Sequence, residues 1–252
     1  MRSQSKKSRF FDSSNPYLKE EKFESVSRTQ SLDVSEKMTV TGAVNKTFLL
    51  GTILLAAAGV SYTFPSSLLT WGGAIAGLII VIIASRKVEQ SSTWGPLYAV
   101  CEGFFVGGIT AMYASYFDGI VLQAVTLTFA VFFAMLALYK SGLVKVTKSF
   151  RSGIMMATVG IFGLYMVSFV LSFFGINMPF LHEATPLTLI ISLAILAIAA
   201  LNLLLDFDTF EKGEELGAPI HMEWFAAMGL IITLVWIYVE ILRILAIFSG
   251  RE

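Results

Sequence analysis

Three stretches of this chain contain no Asp, Glu, Lys, Arg or His: Thr47 to Ser85, Ser152 to Leu181 and Ala184 to Leu205. One crossing of a bilayer takes about 20 apolar residues, so each run is long enough for a span and the first is long enough for two. In hydrocarbon an unbonded amide or carbonyl finds no water, so only helices and closed barrels cross. Runs of this length without two-residue alternation exclude the barrel. The chain is therefore read as an all-α membrane protein. Its composition agrees, with 56% of 252 residues hydrophobic and 14% charged, where a soluble domain carries about 25% charged residues.

Hydropathy read against length predicts seven transmembrane helices, at about 47–64, 68–84, 94–116, 119–139, 153–174, 186–207 and 223–248. Pro65, Pro96, Pro179, Pro186 and Pro219 fall between these spans or in a first helical turn, where a missing N–H costs nothing, and Pro16 lies near the start of the chain. Thr185 before Pro186 and Thr93 before Pro96 are expected to cap their helices.

The basic residues set an expected orientation. Nine Lys and Arg precede residue 47, and seven more lie in the stretches 85–93 and 140–152 and at Lys212, whereas the loops near Pro65, Asp118 and His182 have none. The positive-inside rule then places the N-terminus in the cytoplasm and the C-terminus outside, in a multi-pass protein of the inner cell membrane. Residues 1–45 hold nine Ser, eight Lys or Arg and six Asp or Glu. Such a composition cannot bury a core, which predicts a disordered cytoplasmic tail ahead of a transmembrane domain over 46–250. The tail lacks the apolar segment of a secretory signal, so the protein is expected to be anchored by its own helices. It is either a solvated segment or a docking site for a membrane protein or membrane protease.

Few ionisable groups remain inside the spans: Glu102, Asp206, Asp208, Glu240 and Arg243. Each is costly in hydrocarbon, roughly 2.5–3.5 kcal/mol for Asp, Lys or Arg at mid-helix, and each is a functional candidate. Asp206 and Asp208 are about 200° apart around a helix, so one of them faces the bundle. Asp206 shares its face with Asn202, and Asp208 can pair with Lys212 one turn on. Glu240 and Arg243 are spaced for an i,i+3 pair. Glu102 has no charge beside it and needs a partner from another helix or a wet cavity. Gly103 and Gly107 have the spacing of close helix packing.

Enzyme chemistry finds no support. His182 and His221 lie in loops on opposite sides, and the lone Cys101 allows no intrachain disulfide. No phosphate-cradling loop or metal-binding cysteine cluster occurs. The last span has glutamates rather than the aspartate an intramembrane aspartyl protease needs. No enzyme activity, no cofactor and no nucleic-acid partner is expected.

Seven spans, Glu102-Gly103-Phe104-Phe105-Val106-Gly107 in the third, Phe207-Asp208-Thr209 closing the sixth, and Glu240 ahead of Ile241-Leu242-Arg243-Ile244-Leu245 in the last together resemble the Bax inhibitor-1 family, in its bacterial, longer-tailed branch. The resemblance implies a fold in which the last helix is central, and a pH-sensitive calcium leak gated by an aspartate pair between spans six and seven. Asp208 matches the span-six member. The final-helix aspartate falls near Thr233, which cannot ionise, leaving Glu240, Glu223 or Asp206 as substitutes. Two carboxylates held close share a proton, and losing it leaves repelling charges and hard oxygen ligands suited to calcium. Asp208 and Asp206 are thus candidate transient calcium ligands, Glu102 a pore-lining charge and Arg243 the partner of Glu240. The rival expectation is a non-conducting regulator that binds membrane proteins or proteases.

Overall fold

The computed structural model describes residues 37–172, 174–175 and 185–250. Within them the chain forms seven long helices: α1 Val40–Thr63, α2 Ser67–Arg86, α3 Ser91–Ala114, α4 Ile120–Lys140, α5 Lys148–Ser172, α6 Pro186–Glu215 and α7 His221–Ser249, with a 3-10 turn at Val88–Gln90 leading into α3. All seven are long and apolar enough to cross a membrane. Three run past the expected spans, because hydropathy sees only the apolar part of a helix: α1 begins at Val40 rather than about 47, α5 at Lys148 rather than 153, and α6 continues to Glu215 rather than 207. Residues 37–45 thus belong to the folded part. Residues 1–36 of the expected tail lie outside the described residues, as do Pro179 and His182.

Local chemistry accounts for the helix ends. The Thr39 hydroxyl accepts from Gly42 N at 2.9 Å and caps α1, and Thr185 accepts from Thr188 N at 3.1 Å with Pro186 in the first turn of α6. The other two expectations are corrected. Thr93 lies inside α3 rather than capping it, and Pro96 is the sixth residue of that helix rather than in its first turn. The 3-10 turn extends the coil ahead of Ser91, whose hydroxyl bonds Val88 O at 2.5 Å, so the helix starts earlier than its proline suggests. Between α6 and α7, Gly217 takes a φ of 62°, closed to most side chains, and reverses the chain within a few residues.

The last helix is the centre of the bundle. Eighteen of the 29 residues of α7 are buried, against α1, α3, α4 and α6. The outside of the molecule is apolar: Phe48, Leu55, Leu68, Trp71, Leu122, Phe162 and Ile190 are among many large exposed hydrophobics. Such a surface suits a lipid bilayer.

Because lipid is as apolar as leucine, helices in a membrane associate through close packing and hydrogen bonds. On one side of the bundle glycine supplies the closeness. Gly103 and Gly107 of α3 lie against the backbone of α1 at Leu54 and Ala58, Gly108 lies against Thr70 of α2, and Gly73 of α2 against the Cys101 carbonyl. Close packing is thus the structural role of the Gly103–Gly107 spacing. Ser61 Oγ donates to Phe104 O at 2.8 Å, and the Thr110 and Tyr238 hydroxyls share a 2.8 Å bond between α3 and α7.

Candidate functional site

The polar end of α6 carries the first cluster. Asp208 points toward α5, where it pairs with the Arg151 guanidinium, and it also accepts from Lys212 Nζ at 2.7 Å, one turn along its own helix. Arg151 is only 3% exposed, so its charge depends on this carboxylate. Asp206, two residues earlier, turns to α7 and is 2% exposed. There it faces the Thr233 hydroxyl, and its Oδ2 has no hydrogen-bond partner among the described residues. Phe207 between them packs edge-on against Phe132 at 5.7 Å and also meets Tyr139 at 5.7 Å, which fixes α4 to this end. Tyr139 adds a 2.6 Å bond to Glu211.

Further along the same side, Asn202 Nδ2 donates to Thr158 Oγ1 of α5 at 2.9 Å and to Ile198 O at 2.8 Å. Beyond it, Glu240 of α7, also 2% exposed, accepts from Tyr165 Oη of α5 at 3.1 Å and pairs with Arg243 Nη1 at 3.4 Å. Arg243 in turn donates to Tyr165 Oη at 2.5 Å, and its guanidinium lies 5.1 Å from the centroid of that ring. Carboxylates, an amide and two guanidinia therefore follow one another along the contact of α5 with α6 and α7.

The other two candidates lie elsewhere. Glu223 sits at the start of α1, where its Oε1 accepts from Thr39 N at 2.9 Å and from Thr39 Oγ1 at 3.1 Å. A carboxylate suits the positive end of a helix dipole. The contact is tight: a side chain at Gly42 would collide with the Glu223 carboxyl, and one at Gly213 with the Met38 thioether. Glu102 lies on the α2–α3 side, bonded by Tyr98 one turn back and packed against Gly77.

The structure thus keeps the candidate acids apart. Asp208 holds two cations rather than a second carboxylate, and Glu223 holds the start of α1. Glu240 lies seven residues beyond Thr233, about 10 Å further along α7. Thr233, the position of α7 that the resemblance aligns with an aspartate, does face α6, but toward Asp206 rather than Asp208. The pair between Glu240 and Arg243 is present. Among the described residues no three His, Cys, Asp or Glu side chains converge as a metal site. A calcium ion at Asp208 would have to displace Arg151 or Lys212.

Arg151 escaped the sequence reading because it was assigned to the loop before α5. Its signal is spacing: Arg151, Thr158 and Tyr165 recur every seven residues, on one face of a helix whose middle, residues 153–167, is otherwise glycine or apolar.

Seven membrane-length helices around a buried last one, with acids and guanidinia paired in the interior, define a polytopic helical membrane protein with a polar seam. The chain belongs to the Bax inhibitor 1 like family, which it matches over residues 14–250. Comparison with curated proteins gives no match.

Proposed function

We propose that the protein is a pH-sensitive, calcium-permeable leak channel, not an enzyme, that works without a cofactor. It lies in the inner cell membrane with its N-terminus in the cytoplasm. The observation that carries this reading is the seam of Asp208, Asn202 and Glu240 through the bundle, since buried charge in a span is expensive and marks ion and proton paths. Hard oxygen ligands of this kind suit calcium. Membership of the family and the sixteen Lys and Arg on the side of residue 37 support the rest.

The proton-sensing role falls to Asp206. Protonated, it is a neutral group beside Thr233. Deprotonated, it is a buried charge with an oxygen that no donor among the described residues reaches, a state relieved when water enters. The closed bundle is therefore favoured in acid, and raising the pH favours opening.

The test is calcium flux into liposomes in mildly acidic and mildly alkaline buffer. Faster flux in alkali is expected, with the difference abolished in Asp206→Asn, because an amide keeps the shape but cannot change charge, and with flux lowered in both buffers in Asp208→Asn. A regulator that binds membrane proteins or proteases through residues 1–45 is the alternative. The way Arg151 and Arg243 fill the carboxylate sites favours it, and it gives no flux in either buffer.

A further inference from the structure

Helix α5 is thinly covered, as α4 is with only Ile120 and Ala124 buried, but α4 packs along both α6 and α7 whereas the packing of α5 is chiefly against α6. Of the 25 residues of α5 only Arg151, Ile154 and Ser168 are buried. Met156, Val159, Phe162, Val167 and Phe169 are exposed to the lipid side. Side chains placed at its Gly153, Gly160 or Gly163 would meet open space, whereas at Gly103 or Gly107 of α3 they would run into α1. Helix α5 presents to the bundle Ile154, Ser168 and the row Arg151, Thr158 and Tyr165, of which the row supplies the bonds to α6 and α7 described above. Seven residues make almost two turns, so the three stand above one another, about 10 Å apart, over roughly 21 Å of a core about 30 Å thick. Their partners follow in the same order: Asp208, Asn202, and Glu240 with Arg243.

The two kinds of attachment respond differently to separation. Parting α3 from α1 loses close backbone packing that neither lipid nor water restores. Parting α5 from α6 and α7 replaces apolar contact by lipid at little cost. The polar groups it frees are ones that water or an ion can satisfy. Arg151 leaves with α5, which leaves Asp208 with the partly exposed Lys212 as its one remaining cation, whereas Arg243 stays beside Glu240 because both are on α7.

We infer that α5 is the moving wall of this bundle, parting from α6 and α7 along the Arg151–Thr158–Tyr165 row to open a cleft in which Asp208 and Asn202 receive a hydrated metal cation. The cation rests on the channel reading above; the movement does not.

Two measurements test it. Thr158→Cys and Asn202→Cys, in a Cys101→Ser background, are bridged by a short reducible thiosulfonate cross-linker in the full-length protein in liposomes. Calcium flux should fall to the level of empty liposomes on bridging and return on reduction. Undiminished flux through the bridged protein overturns the proposal. If the unsubstituted protein carries no flux, the channel reading fails; if only the reduced cysteine pair carries none, the loss is that of Asn202, and in either case the movement is decided by the second measurement. Nitroxide labels at the exposed positions Val159→Cys of α5 and Leu193→Cys of α6 should give two distances whose populations shift between acidic and alkaline buffer. Labels at Leu55→Cys of α1 and Leu97→Cys of α3 should give one. A single, unchanging α5–α6 distance as narrow as the reference overturns the proposal whatever the flux.

Discussion

The α1–α3 side and the α5 side of this bundle are built of the same apolar residues and held by opposite means. On the first, glycines bring backbones into contact, so the helices fit in one arrangement. On the second, a helix with three buried residues is fastened by side chains that reach across: a guanidinium to a carboxylate, a hydroxyl to an amide, a phenol to a glutamate. Dispersion depends on contact at van der Waals distance and has no substitute once lost, while water can stand in for a polar partner. A membrane protein that must keep its shape and still open a polar route has use for both. The central α7 serves them together, with Tyr238 bonded to α3 and Glu240 to α5.

The comparison breaks most visibly at Gly107. A Cβ there would overlap the backbone of Ala58, and backbone cannot rotate away. Gly107→Leu is expected to destabilise by more than about 3 kcal/mol, at or beyond the upper end of core overpacking. Thermal unfolding in detergent should show little folded protein. A variant with an unchanged unfolding temperature would mean that α1 and α3 are no more rigidly joined than α5 is.

Asp208→Asn is next. It leaves the Arg151 guanidinium buried beside a neutral amide. Removing one partner of a buried pair costs roughly 3–5 kcal/mol, and the partial exposure of Lys212, 23% at its side chain, places the expected loss nearer 2–3 kcal/mol. Adding Arg151→Gln should recover much of it, because the uncompensated charge is then gone. Lys212→Ala alone should change stability by about 0–1 kcal/mol, as for an exposed pair. If Asp208→Asn unfolds no earlier than Lys212→Ala, Arg151 is not the partner that matters.

The seven spans were legible because apolar run length is a one-dimensional property, and all seven appear where hydropathy puts them. The Glu240–Arg243 and Asp208–Lys212 pairs were legible for a related reason: i,i+3 and i,i+4 neighbours on a helix are set by its pitch. Contacts between helices are not. Nothing local to Arg151 tells that α5 meets α6 at Asp208, and nothing local to Glu223 tells that it receives the first turn of α1. Thr233 shows the same limit, since the family pattern marks the position on α7 but not which acid of α6 faces it. Helix ends were misjudged where polar side chains, invisible to hydropathy, extend the coil, as at Thr39 and Lys148.

A smaller effect separates two truncations. Met38, 1% exposed, donates its N–H to Ala218 O at 2.7 Å, and Thr39 supplies both donors to Glu223 while capping α1. Removing residues 1–40 deletes a cap worth about 1 kcal/mol and strands a buried carboxylate, for an expected loss of about 2 kcal/mol. Removing residues 1–35 ends before these contacts and should leave the unfolding temperature unchanged. Equal losses from the two truncations would show that residues before Lys37 also stabilise the bundle.

The smallest effect is expected at Gly160, and it is the mirror of Gly107. Both are mid-helix glycines, and on sequence alone each could mark a close approach of two helices. At Gly160 a Cβ meets nothing within 4 Å, because this face of α5 looks out to lipid, away from Thr158 and Arg151. The substitution Gly160→Ala therefore adds no clash and reduces the freedom of the unfolded chain. It should alter stability by no more than about 1 kcal/mol, in the stabilising direction. Thermal unfolding beside Gly107→Ala makes the contrast at constant chemistry, since the same methyl is added to two glycines that differ only in what lies beyond them. Comparable destabilisation at both positions would mean that α5 packs against protein on its outer face as well, and a wall enclosed on both sides could not swing away from α6.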